Sequence, residues 1–221
     1  MPTIYDQDEL GSCTANSIAR ALQFDEIKQG EVAAITAVPS RLFIYYNERV
    51  IEGSPNDDSG AELRDGAKTV ATDGWCAETT WPYNITAFAT KPPQVAYDEA
   101  KNHKALVYYS INQNINLMKQ CLSEGYPFVF GFTVYDSFEN DQVAQSGILP
   151  MPGTLENVLG GHAVCAVGYD DSMSALGQVG YFIIANSWGP LWGDKGYFYM
   201  PYNYVGNPSL ASDFWTFRKV S

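Results

Sequence analysis

Residues 5–16 read Tyr5-Asp6-Gln7-Asp8-Glu9-Leu10-Gly11-Ser12-Cys13-Thr14-Ala15-Asn16, and the reading of the whole chain starts from them. A cysteine follows a Gly-Ser pair and precedes an apolar pattern in which Ala15, Ile18, Ala19 and Leu22 recur at i, i+3, i+4 and i+7. That spacing predicts an amphipathic helix. Cys13 then falls in its first turn, where unsatisfied N–H groups and the positive end of the dipole favour an anion. A thiolate is such an anion, so the position lowers a cysteine pKa and makes the sulfur nucleophilic. Taken alone, the stretch fits equally well a small buried apolar cysteine.

The rest of the chain reads helical first and strand-rich later. Pro39-Ser40 opens a second helical segment with Leu42, Tyr45, Tyr46 and Arg49 on one face, and Ser54 to Gly60 is a loop by composition. Ser59 and Glu62 have the spacing of a capping box ahead of a third helix, lined by Leu63, Ala67, Val70 and Ala71 and stopped at Asp73-Gly74. Leu106–Tyr109 reads as a strand, Asn114–Ser123 as a short helix, and Phe128–Val134 as a buried strand. Asp136 to Pro152 reads as loop; His162–Tyr169, Tyr181–Ala185, Gly196–Met200 and Asp213–Val220 read as further strands. The pattern is that of an α+β protein of two lobes, with a ligand site expected between them.

A length of 221 residues suits one large domain or two small ones, and 46% hydrophobic with 17% charged residues excludes disorder. The net charge of −12 argues against nucleic acid or an anionic membrane as partner, since both need a basic face. No apolar run approaches the roughly 18–20 residues of a membrane span, and no leader pattern is visible. Localisation is therefore not readable, and secretion stays open if a segment precedes Met1. The four cysteines, Cys13, Cys76, Cys121 and Cys165, have neither metal-ligand spacing nor a dense disulfide pattern.

The second half carries the partner chemistry. Of the two histidines, His103 stands in a polar Lys-Asn-His-Lys context and reads as surface. His162 opens a strand behind Gly160-Gly161, glycines that let another chain approach closely. By itself it reads as a core histidine. Further on, Asn186-Ser187-Trp188-Gly189 supplies an amide able to hold an imidazole in one tautomer and an indole able to shield that bond from water.

The segment Gln7…Cys13, the run Gly161-His162-Ala163-Val164 and the run Asn186-Ser187-Trp188-Gly189…Trp192-Gly193…Gly196-Tyr197 together resemble the papain family of cysteine peptidases, in the order that family uses. The separation of Cys13 from His162 falls within the ~130–150 residues of papain-like enzymes. The branch with few or no disulfides, bacterial in type, is the more similar. The resemblance implies a single papain-like domain over 1–221. Its helical lobe would cover about 13–105 and its antiparallel sheet or barrel lobe about 106–221, with crossing termini and the active site in the cleft. It implies Cys13 as nucleophile, His162 as general base and acid, Asn186 as its orienting partner and Trp188 as their cover. Gln7 would join the Cys13 backbone N–H in an oxyanion hole. Gly60 and Ala61 resemble the substrate-binding glycine segment; Gly160, Gly161, Ala163 and Trp188 are the further substrate-contacting positions.

No metal or cofactor is implied. The expected partners are a peptide or protein substrate and an upstream pro-segment or protein inhibitor, and the chain is expected to be a monomer. The departures from the family are specific. Leu10 stands where a cysteine is usual, Thr14 where a tryptophan is, and Asp58 about where the partner cysteine would be, so that disulfide is not expected. Ala61 replaces a glycine, and about ten extra residues lie between Tyr169 and Gly180. The resulting expectation is an endopeptidase with a large apolar residue preferred two before the cut, unless the segment Ser209–Phe214 brings Asp213 into that pocket. An acyl transferase using the same acyl-enzyme, or a non-catalytic binding protein on the same scaffold, are the alternatives.

Overall fold

A computed structural model describes residues 1–30 and 37–220. The chain forms α1 (Cys13–Lys28), α2 (Arg41–Glu52), α3 (Leu63–Thr72), α4 (Gln94–Ala100), β1 (Ala105–Ser110), α5 (Ile115–Ser123), β2 (Phe128–Tyr135), α6 (Asp141–Ser146), β3 (Val158–Ala175), β4 (Gln178–Ala185), β5 (Tyr197–Pro201), α7 (Tyr202–Val205) and β6 (Ala211–Val220). Two compact units result. The first holds Met1–Thr3, Gln7–Tyr109 and Phe217–Ser221; the second holds Ile4–Asp6 and Ser110–Thr216. Among the described residues no helix is long and apolar enough to cross a membrane.

In the first unit α1, α2 and α3 pack on one another. The sequence suggests a single apolar face for α2, but every residue from Arg41 to Arg49 is buried. Its polar side chains therefore need internal partners. Arg41 pairs with Glu78 at 2.7 Å, Asn47 bonds Phe43 O and Tyr97 Oη, and Arg49 donates to Tyr45 O, Pro55 O, Asp57 O and Phe88 O. Ser40 caps α2 by accepting from Phe43 N at 3.2 Å. The capping box expected at α3 is not formed. Glu62 is itself the N-cap, its backbone N–H goes to Glu52 Oε1 at 2.7 Å, and the Ser59 hydroxyl bonds Ser54 and its neighbouring carbonyl. His103 is partly exposed, its ring tilted against Trp75 at 5.9 Å with Nδ1 3.6 Å from Glu26 Oε1.

The sheet order is β1-β6-β2-β3-β4-β5, with the pairs from β6 through β5 antiparallel. The second unit's core is an aromatic stack on one sheet face. Phe130 lies parallel to Phe214 at 5.3 Å, Phe128 meets Phe182 edge-on at 5.8 Å, and Phe132 meets Phe138 edge-on at 5.1 Å. Phe138 belongs to a 3-10 turn (Asp136–Glu139) that precedes α6, in the stretch the sequence suggests is loop. The residues added after Tyr169 lengthen β3 and β4 into a hairpin turning at Leu176-Gly177.

Phe130 is fully buried between Phe128, Phe132 and Phe214. Phe130→Ala is expected to lower the unfolding free energy by about 3–5 kcal/mol, read from urea unfolding monitored by circular dichroism.

Candidate active site

Cys13 is the first residue of α1 and is half-buried. Ser12 occupies the N-cap position, yet its side chain makes no cap hydrogen bond. Its hydroxyl instead lies 2.6 Å from Tyr83 Oη and accepts Asn16 Nδ2 at 3.0 Å. The positive end of α1 is thus not neutralised by its own cap, and no acidic side chain stands in the first turn. Gln7 is buried; its Nε2 donates to Leu10 O at 3.0 Å and its carbonyl accepts from Tyr83 Oη at 2.8 Å.

Asp58 supports the residues ahead of Cys13. Its carboxylate accepts the Gly11 N–H at 3.0 and 3.1 Å and the Tyr45 hydroxyl, and Tyr45 Oη in turn accepts the Gly60 N–H at 3.2 Å. A Cβ on Gly11 would stand 2.9 Å from Asp58 Oδ1, so a side chain there would have to displace the carboxylate. Leu10 and Asp58, read in the sequence as the site of a missing disulfide, thus flank a hydrogen-bonded clamp between the Gln7–Cys13 segment and the Gly60-Ala61 segment.

His162, Asn186 and Trp188 come together in the second unit. His162 Nε2 lies 2.8 Å from Asn186 Oδ1, which also accepts the Ser187 N–H at 2.9 Å. A carbonyl oxygen only accepts, so Nε2 carries the proton and Nδ1 is the basic nitrogen of the neutral ring. The Trp188 ring lies 5.0 Å from the imidazole, with Phe132 at 5.8 Å and Phe138 at 6.2 Å. This enclosure desolvates the imidazolium and pushes the His162 pKa down to about 4, while the Asn186 hydrogen bond acts in the opposite sense. Trp188 is itself fixed by Trp192 at 5.1 Å and by backbone pairing with Asp6. Phe132 and Phe138 are site residues that the sequence did not single out; Phe138 was hidden by its loop-like surroundings.

Strand register divides the expected substrate-contacting positions between two faces of β3. Phe132 pairs with His162, Thr133 with Gly161 and Gly131 with Ala163. Alternation puts Gly160 on the face of His162, and Gly161 and Ala163 on the opposite face with Gly131. Asp213 has a positive φ of 60° and accepts the Trp215 indole N–H at 2.6 Å.

No disulfide joins any of the four cysteines. Cys76, Cys121 and Cys165 are buried, and burial pushes the Cys76 thiol up to about 12. Among the described residues there is no group of three or more side chains suited to hold a metal ion.

The comparisons with known proteins agree with one another. The family described as papain family cysteine protease matches residues 1–215. An uncharacterized peptidase C1-like protein of Acanthamoeba polyphaga mimivirus is 47% identical over 98% of this chain and 70% of its own length. Cathepsin B-like CP2 of Giardia intestinalis is 30% identical over 90% of this chain, which spans 64% of that protein. Among solved structures, xylellain, a cysteine protease from Xylella fastidiosa, superimposes with a TM-score of 0.92 at 43% identity, covering 99% of this chain and 83% of that one.

The clamp rests on Arg49, whose guanidinium is buried and holds the 55–57 loop from beneath. Arg49→Lys is expected to lower stability by about 3 kcal/mol or more, since one ammonium cannot replace a fork bonded to four carbonyls. Asp58→Ala, at an exposed site, is expected to cost about 1 kcal/mol. Chemical denaturation of the two variants checks both the values and their order.

Proposed function

The chain belongs to the papain family of cysteine proteases, and on that premise we propose that it is an endopeptidase in which Cys13 attacks the scissile carbonyl and His162 relays the proton. The observation that carries the reading is the 2.8 Å bond from His162 Nε2 to Asn186 Oδ1 inside an aromatic enclosure. It fixes the tautomer that leaves Nδ1 to exchange a proton with a thiol. Asn186 is the positioning residue for the ring, and Trp188 keeps water from their bond.

In the proposed mechanism the Cys13 thiolate forms the C–S bond as the carbonyl π pair moves onto oxygen. The Gln7 amide and the Cys13 N–H donate to that oxyanion. The tetrahedral species collapses with loss of the amine, which takes its proton from the His162 imidazolium. Water then attacks the thioester with neutral His162 as base, and the acid product leaves Cys13 as thiolate. Burial alone holds His162 neutral at pH 7. The imidazolium therefore depends on the thiolate charge, and each ion of the pair stabilises the other. Donors fixed on a developing oxyanion are worth about 2.7–4 kcal/mol each in acyl transfer.

Substrate preference follows from the face that Gly161, Ala163 and Gly131 share. None bears a charge, and the side chain two before the cut is proposed to lie against them. Asp213, the carboxylate that would recruit a basic residue, is engaged by Trp215. Gly60 and Ala61 are proposed to receive the substrate backbone. A pro-segment is proposed as the inhibitor that occupies this site before activation.

Iodoacetamide at sub-stoichiometric amounts is expected to label Cys13 alone, with loss of peptidase activity in step, and Cys13→Ser to abolish both. Activity lost with Cys13 unlabelled would overturn the assignment. Burial of Leu, Phe or Tyr in the proposed pocket is worth roughly 1.5–3 kcal/mol, so Ala163→Leu should lower kcat/KM for such peptides about tenfold or more. A fluorogenic library varied at that subsite reads this, and a best substrate with Arg or Lys there would place a carboxylate in the pocket.

A further inference from the structure

Glu48 is a fully buried carboxyl that the proposed mechanism does not use. It lies in the middle of α2 and meets α1 through one polar contact, the Thr14 hydroxyl donating to Oε1 at 2.5 Å. Thr14 is the residue that follows Cys13 in the first turn of α1. Oε2 is buried and has no hydrogen-bond partner among the described residues. The walls close on it: a Cβ on Gly66 of α3 would stand 2.6 Å from Oε2 and 2.4 Å from Ile18 Cδ1 of α1.

The charged groups around Glu48 do not neutralise it. On its own helix these are Arg49 and Glu52, and from α3 it is Asp65. From α1 the Thr14 hydroxyl and Ile18 face the same seat. Arg49 donates to four backbone carbonyls, and Glu52 accepts the Glu62 N–H. An ionised Glu48 would thus be a desolvated anion with one hydroxyl donor. Such a state costs several kcal/mol.

We propose that Glu48 is a positioning residue: as a neutral carboxylic acid it is accommodated in the dry seat where α1, α2 and α3 meet and keeps the first turn of α1 that carries Cys13 packed there, and its ionisation, whose desolvation cost the single Thr14 hydroxyl does not offset, draws water into that seat and loosens the turn. The inference rests on the assignment of Cys13 as nucleophile. Burial, the largest influence, moves the group up to about 8, with Thr14 opposing and Glu52 adding to the rise. A carboxyl raised in the folded state gives stability that is complete below its unfolded value and lost as pH rises through the folded one. The buried acid is therefore compatible with the packed turn at neutral pH, and above it the buried charge works against that packing.

The test is the pH dependence of Cys13 alkylation by iodoacetamide in the folded enzyme, with circular dichroism confirming the fold at each pH. A thiolate does not lose nucleophilicity as pH rises, so a fall on the alkaline side cannot come from the thiol. Wild type is expected to lose about fivefold or more in rate, the ratio that ~1 kcal/mol displaces, with a midpoint near pH 8. Glu48→Gln, neutral and able to accept from Thr14, should abolish that limb, and Glu48→Ala should lower the rate at every pH. The same limb in Glu48→Gln, with the label on Cys13, overturns the inference alone. Label mapping to another cysteine overturns the functional reading and this inference with it. Should Glu48→Gln not fold, infrared spectroscopy of an Asp25→Asn variant, which removes the other strongly raised carboxyl, decides. A protonated carboxyl lost near pH 8 together with the alkylation rate supports the proposal, and its absence at pH 7 overturns it.

Discussion

The buried guanidinium of Arg49 is the constraint on which the first unit is assembled. It stacks 3.8 Å above the Tyr45 ring and donates to carbonyls in α2, in the 55–57 loop and at Phe88. Taking a cation out of water is costly, and only a full set of acceptors offsets it. The loop has to come to the guanidinium, and in doing so it offers Asp58 to Gly11 and Tyr45. A network of hydrogen bonds thereby links α2, the Gly60 segment and the residues ahead of Cys13 without a covalent bridge. Its strength is indifferent to thiol reductants but sensitive to loss of the carboxylate charge. The same commitment of Arg49 leaves Glu48, its neighbour on α2, without a cation.

The second unit solves a different problem by the opposite means. Here the polar group of interest is a weak base, and its surroundings are aromatic rather than polar. Phe132, Phe138 and Trp188 remove water from His162, and Asn186 returns one oriented acceptor. An ionised acceptor in place of Asn186 would favour the protonated ring whether or not a thiolate stood by. A neutral amide leaves the charge of the ring to be decided at Nδ1, where the proposed chemistry needs it to change. The Ile4–Asp6 segment adds to this enclosure, because Tyr5 O accepts the Gly189 N–H at 3.0 Å and Asp6 pairs with Trp188.

Much of the fold was legible because long elements carry strong patterns. The Cys13 helix, the helices after Ser40 and Glu62, and the Phe128 strand are set by apolar spacing and sit where the sequence puts them. What escaped was decided by tertiary context. The face of α2 could not be read, because Arg41, Asn47, Glu48 and Arg49 look solvent-facing until their internal partners are known. The capping box failed because Glu52 claimed the Glu62 N–H first. Phe138 and α6 lie in a polar stretch too short for a period to show. For the site, the residue types of Cys13, His162 and Asn186 and their order were visible. The division of Gly160 from Gly161 and Ala163 was not, since it needs the register of β2 on β3.

Acid and base groups buried in the two units pull stability in opposite directions. Asp25 and Glu48 are pushed up to about 7 and about 8, chiefly by burial. Each binds its proton more tightly folded than unfolded, so each adds stability at low pH that fades as pH rises through those values. His162 is pushed down to about 4, and so binds its proton less tightly when folded. It subtracts stability at acid pH, and that penalty disappears as pH rises past its unfolded value near 6.5. Asp25 and Glu48 thus favour the first unit in acid, whereas His162 favours the second in its absence. The dry environment that keeps His162 neutral without a thiolate is the same kind that keeps Glu48 protonated under Thr14. In each case desolvation sets the resting charge, and one hydrogen bond, donated to Asn186 Oδ1 or accepted from Thr14, sets the geometry in which that charge can change.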